Sequence, residues 1–135
     1  GIPVSRAMIT EFHTLAPGEP LSRAVELLLS GPQQDFPVMS DGQIVGVRSL
    51  SDLQTALCRQ GETVAVGEVM RRDVPVVDPH DMMEPVFQTL QTTGARIGAV
   101  VRDGRVVGLV TPDNVGEFVM VQSSLAAHLG RRPTS

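Results

Sequence analysis

Asp41-Gly42-Gln43-Ile44-Val45-Gly46-Val47-Arg48-Ser49-Leu50-Ser51-Asp52 and Asp103-Gly104-Arg105-Val106-Val107-Gly108-Leu109-Val110-Thr111-Pro112-Asp113-Asn114 are two versions of one stretch, set 62 residues apart. Each opens on Asp-Gly between apolar runs, the strongest short-range sign of a hairpin, because a type I′ turn needs positive φ at both central residues. Each closes on Gly-apolar-x-Ser/Thr-x-x-Asp/Asn, where a strand runs into a helix. The same offset joins Met8 to Met70 and Pro17 to Pro79. One offset held over the whole unit, without insertion or deletion, is a true internal duplication.

Working outward, both copies read alike. A short apolar stretch that stops at a proline ("FHTLAP", "VPVVDP") predicts a first strand. Leu21, Ala24, Val25 and Leu28, and then Met83, Val86, Phe87 and Leu90, follow the spacing of one buried helix face. Pro85 falls in the first turn of the second of these helices, where a missing N–H does little harm. Two strands around Asp-Gly come next, and a second helix ends the copy. The unit is β-α-β-β-α. One copy alone exposes a face of its short sheet, and two copies packed sheet to sheet cover it. The boundaries are residues 1–60 for the first unit, 61–65 for a linker, 66–121 for the second unit and 122–135 for a helix end and tail.

Composition narrows the function. The chain has 135 residues, 41% apolar and 19% charged, enough for one core without disulfides or metals. With four Phe, no Trp, no Tyr and a net charge of −4, it lacks both the stacking platform and the basic surface of a nucleic-acid reader. Arg71-Arg72 and Arg131-Arg132 read as solvated pairs. The lone Cys58 excludes an internal disulfide, fits a reducing cytoplasm, and reads as a buried or half-buried structural thiol. No run approaches the roughly 20 apolar residues of a membrane span. The chain starts on Gly rather than Met and reads as a piece cut from a longer protein. His13, His80 and His128 are scattered surface groups without metal-ligand spacing, the methionines are core filler, and no nucleophile elbow, P-loop or dinucleotide fingerprint is present.

The two strand-to-helix corners carry the chemistry. Ser49 and Thr111 are good N-caps, Pro112 sits at the favoured first helical position, and Asp52 stands where a capping box has its acid. The same atoms suit a ribose phosphate. A helix N-terminus attracts anions, a cap hydroxyl adds a hydrogen bond, and a carboxylate one turn in can accept from a ribose diol. The two readings are compatible.

The repeated unit resembles the tandem CBS-domain pair, or Bateman module, over residues 4–121. The resemblance rests on "VSRAM" and "VGEVM", on "FPVMSDGQIVGV" and "GAVVRDGRVVGL", and on the two Gly-x-x-Ser/Thr-x-x-Asp/Asn endings. It implies an α+β fold of duplicated β-α-β-β-α units forming a pseudo-two-fold pair. It also implies two clefts for adenine nucleotides (AMP, ADP or ATP) or related adenosyl ligands. Ser or Thr would contact phosphate, and Asp the ribose. One cleft would use Ser49 and Asp52, walled by Asp73, Val74, Val76, Arg96, Ile97 and Gly98. The other would use Thr111 and Asn114, walled by Thr14, Leu15, Gln34, Asp35 and Phe36. Two positions depart from the family pattern. Asn114 replaces the usual Asp, which makes the Asp52 cleft the expected better binder. Arg48 stands at a usually apolar place, as a phosphate contact or a surface arginine.

A narrower likeness, carried by "QQDFPV" and "NVGEF", is to the CBS pair of site-2-protease-type intramembrane zinc metalloproteases. It implies a cytoplasmic regulatory part with no membrane insertion of its own, whose attached effector domain lies outside this chain. CBS pairs also join into homodimers through their helices, and the apolar run Val115–Leu129 offers a face for that. The alternatives are a ligand-free structural or dimerisation module, or the regulatory part of another effector such as a transporter. No constellation supports an enzyme.

Overall fold

Both Asp-Gly turns form as the sequence predicts: Asp41 and Asp103 take φ of 52° and 51°, and Gly42 and Gly104 take 77° and 76°. The computed structural model describes residues 1–130. The Arg131-Arg132 pair and the end of the tail lie outside the described residues. After a 3-10 turn at Val4–Arg6 come α1 (Leu21–Ser30), β1 (Phe36–Ser40), β2 (Gln43–Arg48), α2 (Leu50–Gln60), α3 (Val66–Val69), β3 (Val76–Val77), α4 (Met83–Thr93), β4 (Gly98–Arg102), β5 (Arg105–Val110) and α5 (Pro112–Gly130). Both hairpins are antiparallel, and their register slips at equivalent places, Val38/Met39 and Val100/Val101.

The predicted opening strand forms only in the second copy, where β3 pairs in parallel with β4. In the first copy only Leu15 bridges to Val38. The cause is a single residue. Ala99 N–H donates to the Pro75 carbonyl at 2.8 Å, but its counterpart Pro37 has no N–H to give. The orphaned His13 carbonyl accepts instead from the Gln33 side chain (2.9 Å), whose Oε1 accepts from His13 N–H (2.8 Å). A carboxamide takes the place of a ladder rung.

The two copies exchange their opening turns. Val4 is buried in the second copy's core with Met83, Val86, Leu90, Val100, Val110 and Val115. Val66 is buried in the first copy's core with Leu21, Ala24, Leu27, Phe36, Val38 and Leu53. Complete burial of a valine stabilises by about 1.5–3 kcal/mol, so each copy relies on a residue from the other's sequence repeat. The hydrogen bonds follow the same symmetry. Val4 N–H donates to Asp81 O (2.8 Å) and Val66 N–H to Glu19 O (2.8 Å). Neither α1 nor α4 has a side-chain cap. Their leading N–H groups are met from the other copy's opening, Leu21 by Val64 O (3.0 Å) and Met83 by Ile2 O (2.9 Å).

Between the sheets, Val47 of β2, Leu109 of β5 and Ile97 form a third core with Phe12, Ile44, Val74 and Val106 packed on it. Here each copy's opening chain pairs with the other's last strand. Ile9 and Leu109 exchange bonds of 2.7 and 2.9 Å, while Arg71 and Val47 exchange bonds of 3.0 and 2.8 Å. Cys58 is exposed rather than buried, because α2 packs through Leu53 and Ala56 and turns position 58 to solvent. Among the described residues no helix is long and apolar enough to cross a membrane.

Candidate functional site

The corners differ more than their spelling. Ser49 caps α2, and its Oγ donates to Asp52 Oδ2 at 2.8 Å while accepting from Asp52 N–H at a long 3.4 Å. Thr111 caps α5 within a reciprocal box. Its Oγ1 accepts from Asn114 N–H (3.1 Å) and donates to Asn114 Oδ1 (3.0 Å), which also accepts from Thr111 N–H (2.6 Å). The Asn114 Nδ2 donates to the Ala7 carbonyl, in the opening turn exchanged from the first copy. Asn114 therefore has its acceptor and a donor engaged inside the fold. A carboxylate here would face the Ala7 carbonyl with no proton to offer, so asparagine at this position is a tie between copies.

Arg48 is not a surface arginine; it is 1% exposed. Its place in β2 matches Val110 in β5, so its side chain enters the first copy's core. Its guanidinium donates to the Val69 carbonyl and lies 4.0 Å from Asp52, and its Nε has no partner. Burial lowers its pKa, and Asp52 opposes that shift. Arg71 approaches the same Asp52 carboxylate at 3.7 Å. Asp52 is thus held by Ser49 and two arginines, and Arg48 lies behind the corner.

Of the two corners, the one at Thr111 has the room, not the Asp52 corner expected to bind better. At the Ser49 corner the cavity is only about 20 Å³. Ser49, Asp73, Arg96 and Ile97 line it with Arg71 and Val47, whereas Asp52, Val74, Val76 and Gly98 do not. Val74 packs on the inter-sheet core, Val76 is 60% exposed, and Gly98 packs against Val110 and Leu90. At the Thr111 corner the cavity holds about 390 Å³, within the range of about 300–1,000 Å³ typical of small-molecule sites. Thr111, Gln34 and Asp35 line it as expected, but Thr14, Leu15, Phe36 and Asn114 do not. Leu15 and Phe36 belong to the first copy's core, Phe36 at the start of β1 and Leu15 on the chain that bridges to Val38 beside it.

The larger cavity also recruits residues that spacing did not mark. Ile9 and Phe12 enter it because the opening chain pairs with β5, bringing Glu11 with them. Arg96 and Ile97, assigned by sequence to the smaller cleft, line both. Leu109, Pro112 and Asp113 complete the wall on the β5–α5 side. The available signal was the duplication itself: subtracting the 62-residue offset from Asp73 and Val74, the expected wall of the other cleft, yields Glu11 and Phe12.

Asp35 is the most buried ionisable group in this cavity. Its side chain is 12% exposed and its Oδ1 lies 3.7 Å from Arg96 Nε without a hydrogen bond. Burial raises its pKa above the ordinary carboxylate value, Arg96 opposes the rise, and Asp52 and Asp113 add to it. The cavity thus combines an apolar wall of Ile9, Phe12, Ile97 and Leu109 with a hydroxyl at a helix N-terminus and a desolvated carboxylate.

Known proteins share this fold. The curated protein MJ1225 of Methanocaldococcus jannaschii is 28% identical over 111 residues, which is 81% of this chain; the chain spans 40% of that relative's length. The crystal structure of CBSX2 from Arabidopsis thaliana matches with a TM-score of 0.78 at 26% identity, over 92% of this chain and 98% of that one. A crystal structure of CBSX2 in complex with AMP matches at 0.76 and 27% identity, over 91% and 99% of the two chains. The CBS domain pair of MJ0100, solved with 5′-methylthioadenosine and S-adenosyl-L-methionine, shares the fold at 0.76 and 20% identity, over 90% and 98%. The family model for the CBS domain matches residues 4–59 and again 66–120. With the duplicated unit, the exchanged turns and both matches in hand, this chain belongs to the CBS-domain family as a tandem pair, a Bateman module.

Proposed function

We propose that this CBS pair is a regulatory module. It binds an adenine nucleotide or related adenosyl ligand in the Thr111 cavity and passes its occupancy to an attached effector. The observation that carries the reading is the cavity of about 390 Å³ at the junction of the two copies, walled by both. In this reading Ile9, Phe12, Ile97 and Leu109 enclose the purine. The carboxamide of Gln34 reaches the ribose or base edge, and Thr111 with the start of α5 receives the 5′ substituent. The AMP complex of CBSX2 supports the ligand class. Ser49, Arg71 and Asp73 form a lesser cleft with too little room for a nucleoside.

A ligand that touches both copies resists their relative movement. It can shift an effector only by its difference in affinity between two arrangements. The effector we infer from the "QQDFPV" and "NVGEF" runs is a membrane-embedded zinc metalloprotease, which puts this module in the cytoplasm. Homodimerisation is proposed through α5, whose Phe118, Met120, Val121, Leu125 and Leu129 are exposed.

A second reading, a structural module without ligand, is favoured by the internal bonds that occupy Asp52 and Asn114. Thermal shift and calorimetry with AMP, ADP, ATP and S-adenosylmethionine separate the two. A ligand at 100 times its Kd stabilises the fold by about 2.7 kcal/mol, and no shift with any of the four selects the structural module.

A further inference from the structure

Three carboxylates, Glu11, Asp35 and Asp113, line the larger cavity, and among its described lining residues Arg96 is the one cation. That arginine is already beside Asp35 at 3.7 Å and is itself more than half exposed. The N-terminus of α5 contributes about half a positive charge, but Asp113 sits in its first turn and outweighs it. Glu11 and Asp113 are exposed residues at the rim, while Asp35 is buried within. An anionic 5′ substituent placed at Thr111 would therefore meet a repelling negative field from both copies.

We propose that the cavity selects, among adenosine derivatives, those with an uncharged or cationic 5′ substituent, such as a thioether or sulfonium, over those carrying polyphosphate. This rests on the reading of the cavity as an adenosyl site and deepens it. An apolar wall holds the purine whatever the tail, so the discrimination lies in the tail's charge. A triphosphate sets its anionic oxygens against the carboxylates with only Arg96 to receive them. A sulfonium or ammonium finds Glu11, Asp35 or Asp113 within the same pocket. Like-charge opposition of this kind rejects a ligand without removing any contact to its base.

The test is calorimetric titration of the wild-type chain with 5′-methylthioadenosine, S-adenosylmethionine, AMP and ATP at low and high salt. The expected order places the first two ahead of AMP and at least about tenfold ahead of ATP. The gap narrows as salt rises, because screening weakens the field of the exposed rim. In E11Q and D113N variants the gap between 5′-methylthioadenosine and ATP narrows by several-fold, and a gap unchanged in both overturns the selection by charge. ATP binding as tightly as 5′-methylthioadenosine to the wild-type chain overturns the selection and leaves the adenosyl site standing. Absence of binding by all four removes the site, and the selection with it.

Discussion

Adding a single methyl group at Gly46 should destabilise this fold more than adding it at Gly108, although the two are equivalent by sequence. A Cβ on Gly46 would lie 2.5 Å from Met70 Sδ and 2.7 Å from the Arg71 carbonyl oxygen. The three atoms nearest a Cβ on Gly108 all belong to Met8, at 2.7 Å from Sδ, 2.9 Å from Cγ and 3.1 Å from Cβ. A methionine side chain can swing away, whereas a carbonyl held in the Arg71–Val47 pair cannot move without that pair. Overpacking costs about 1–3 kcal/mol. Loosening the two bonds of the pair adds about 0.5–1.5 kcal/mol each. Gly46→Ala is therefore expected to cost about 2–6 kcal/mol and Gly108→Ala, with overpacking alone, about 1–3 kcal/mol, the difference being the two bonds. The assay is urea unfolding at equilibrium. With a slope of about 2 kcal/mol/M, the variants' midpoints should differ by at least about 0.5 M, Gly46→Ala being lower. Equal midpoints, or the opposite order, would refute the argument that exchanged pairing at Arg71–Val47 is the rigid element.

Three further perturbations test the site's electrostatics. Asp52→Ala leaves Arg48 buried with its nearby carboxylate gone and should destabilise by about 1–3 kcal/mol, the partial exposure of Asp52 limiting the effect. In an Arg48→Met background the same change should cost at least about 1 kcal/mol less, and additive effects in that cycle would deny the coupling. Asn114→Ala removes both the capping box and the tie to Ala7; a loss of about 1–3 kcal/mol in urea unfolding is expected, and a neutral result would mean the tie does not form in solution. Asp35 has its pKa raised above 3.8, chiefly by burial. Its protonated form thus contributes stability that is complete below 3.8 and is lost as pH rises through the raised value. Asp35→Asn should then be more stable than wild type at pH 7, with the advantage shrinking as pH falls toward 4. An asparagine variant less stable at pH 7 would show that attraction to Arg96 outweighs burial.

The duplication, the β-hairpins with their Asp-Gly turns, and the capped corners were legible because each depends on neighbours along the chain. What escaped depends on distant partners. Pro37 reads as an ordinary strand residue until its missing N–H is set against the His13 carbonyl, 24 residues earlier. Val4 and Val66 read as the start of their own copies, yet each is buried in the other's core. Asn114 has the spacing of a ribose contact, but its partner Ala7 is 107 residues away. Arg48 reads as a phosphate contact or a surface arginine, yet it is buried, as its counterpart Val110 marks the position. The ranking of the clefts follows the identity of Asp52, while the arginines beside it come into view only in the fold. Residue type at a corner reports what could bind, while the free volume beside it is set by chain that arrives from the other copy.

The most direct test of the central claim is an amide chemical-shift titration of the isotope-labelled chain with 5′-methylthioadenosine. The account predicts saturable shifts concentrated at Ile9, Phe12, Asp35, Ile97 and Thr111, with Ser49 and Asp73 nearly unmoved. Shifts centred on Ser49, Arg71 and Asp73, or none at all, would contradict it.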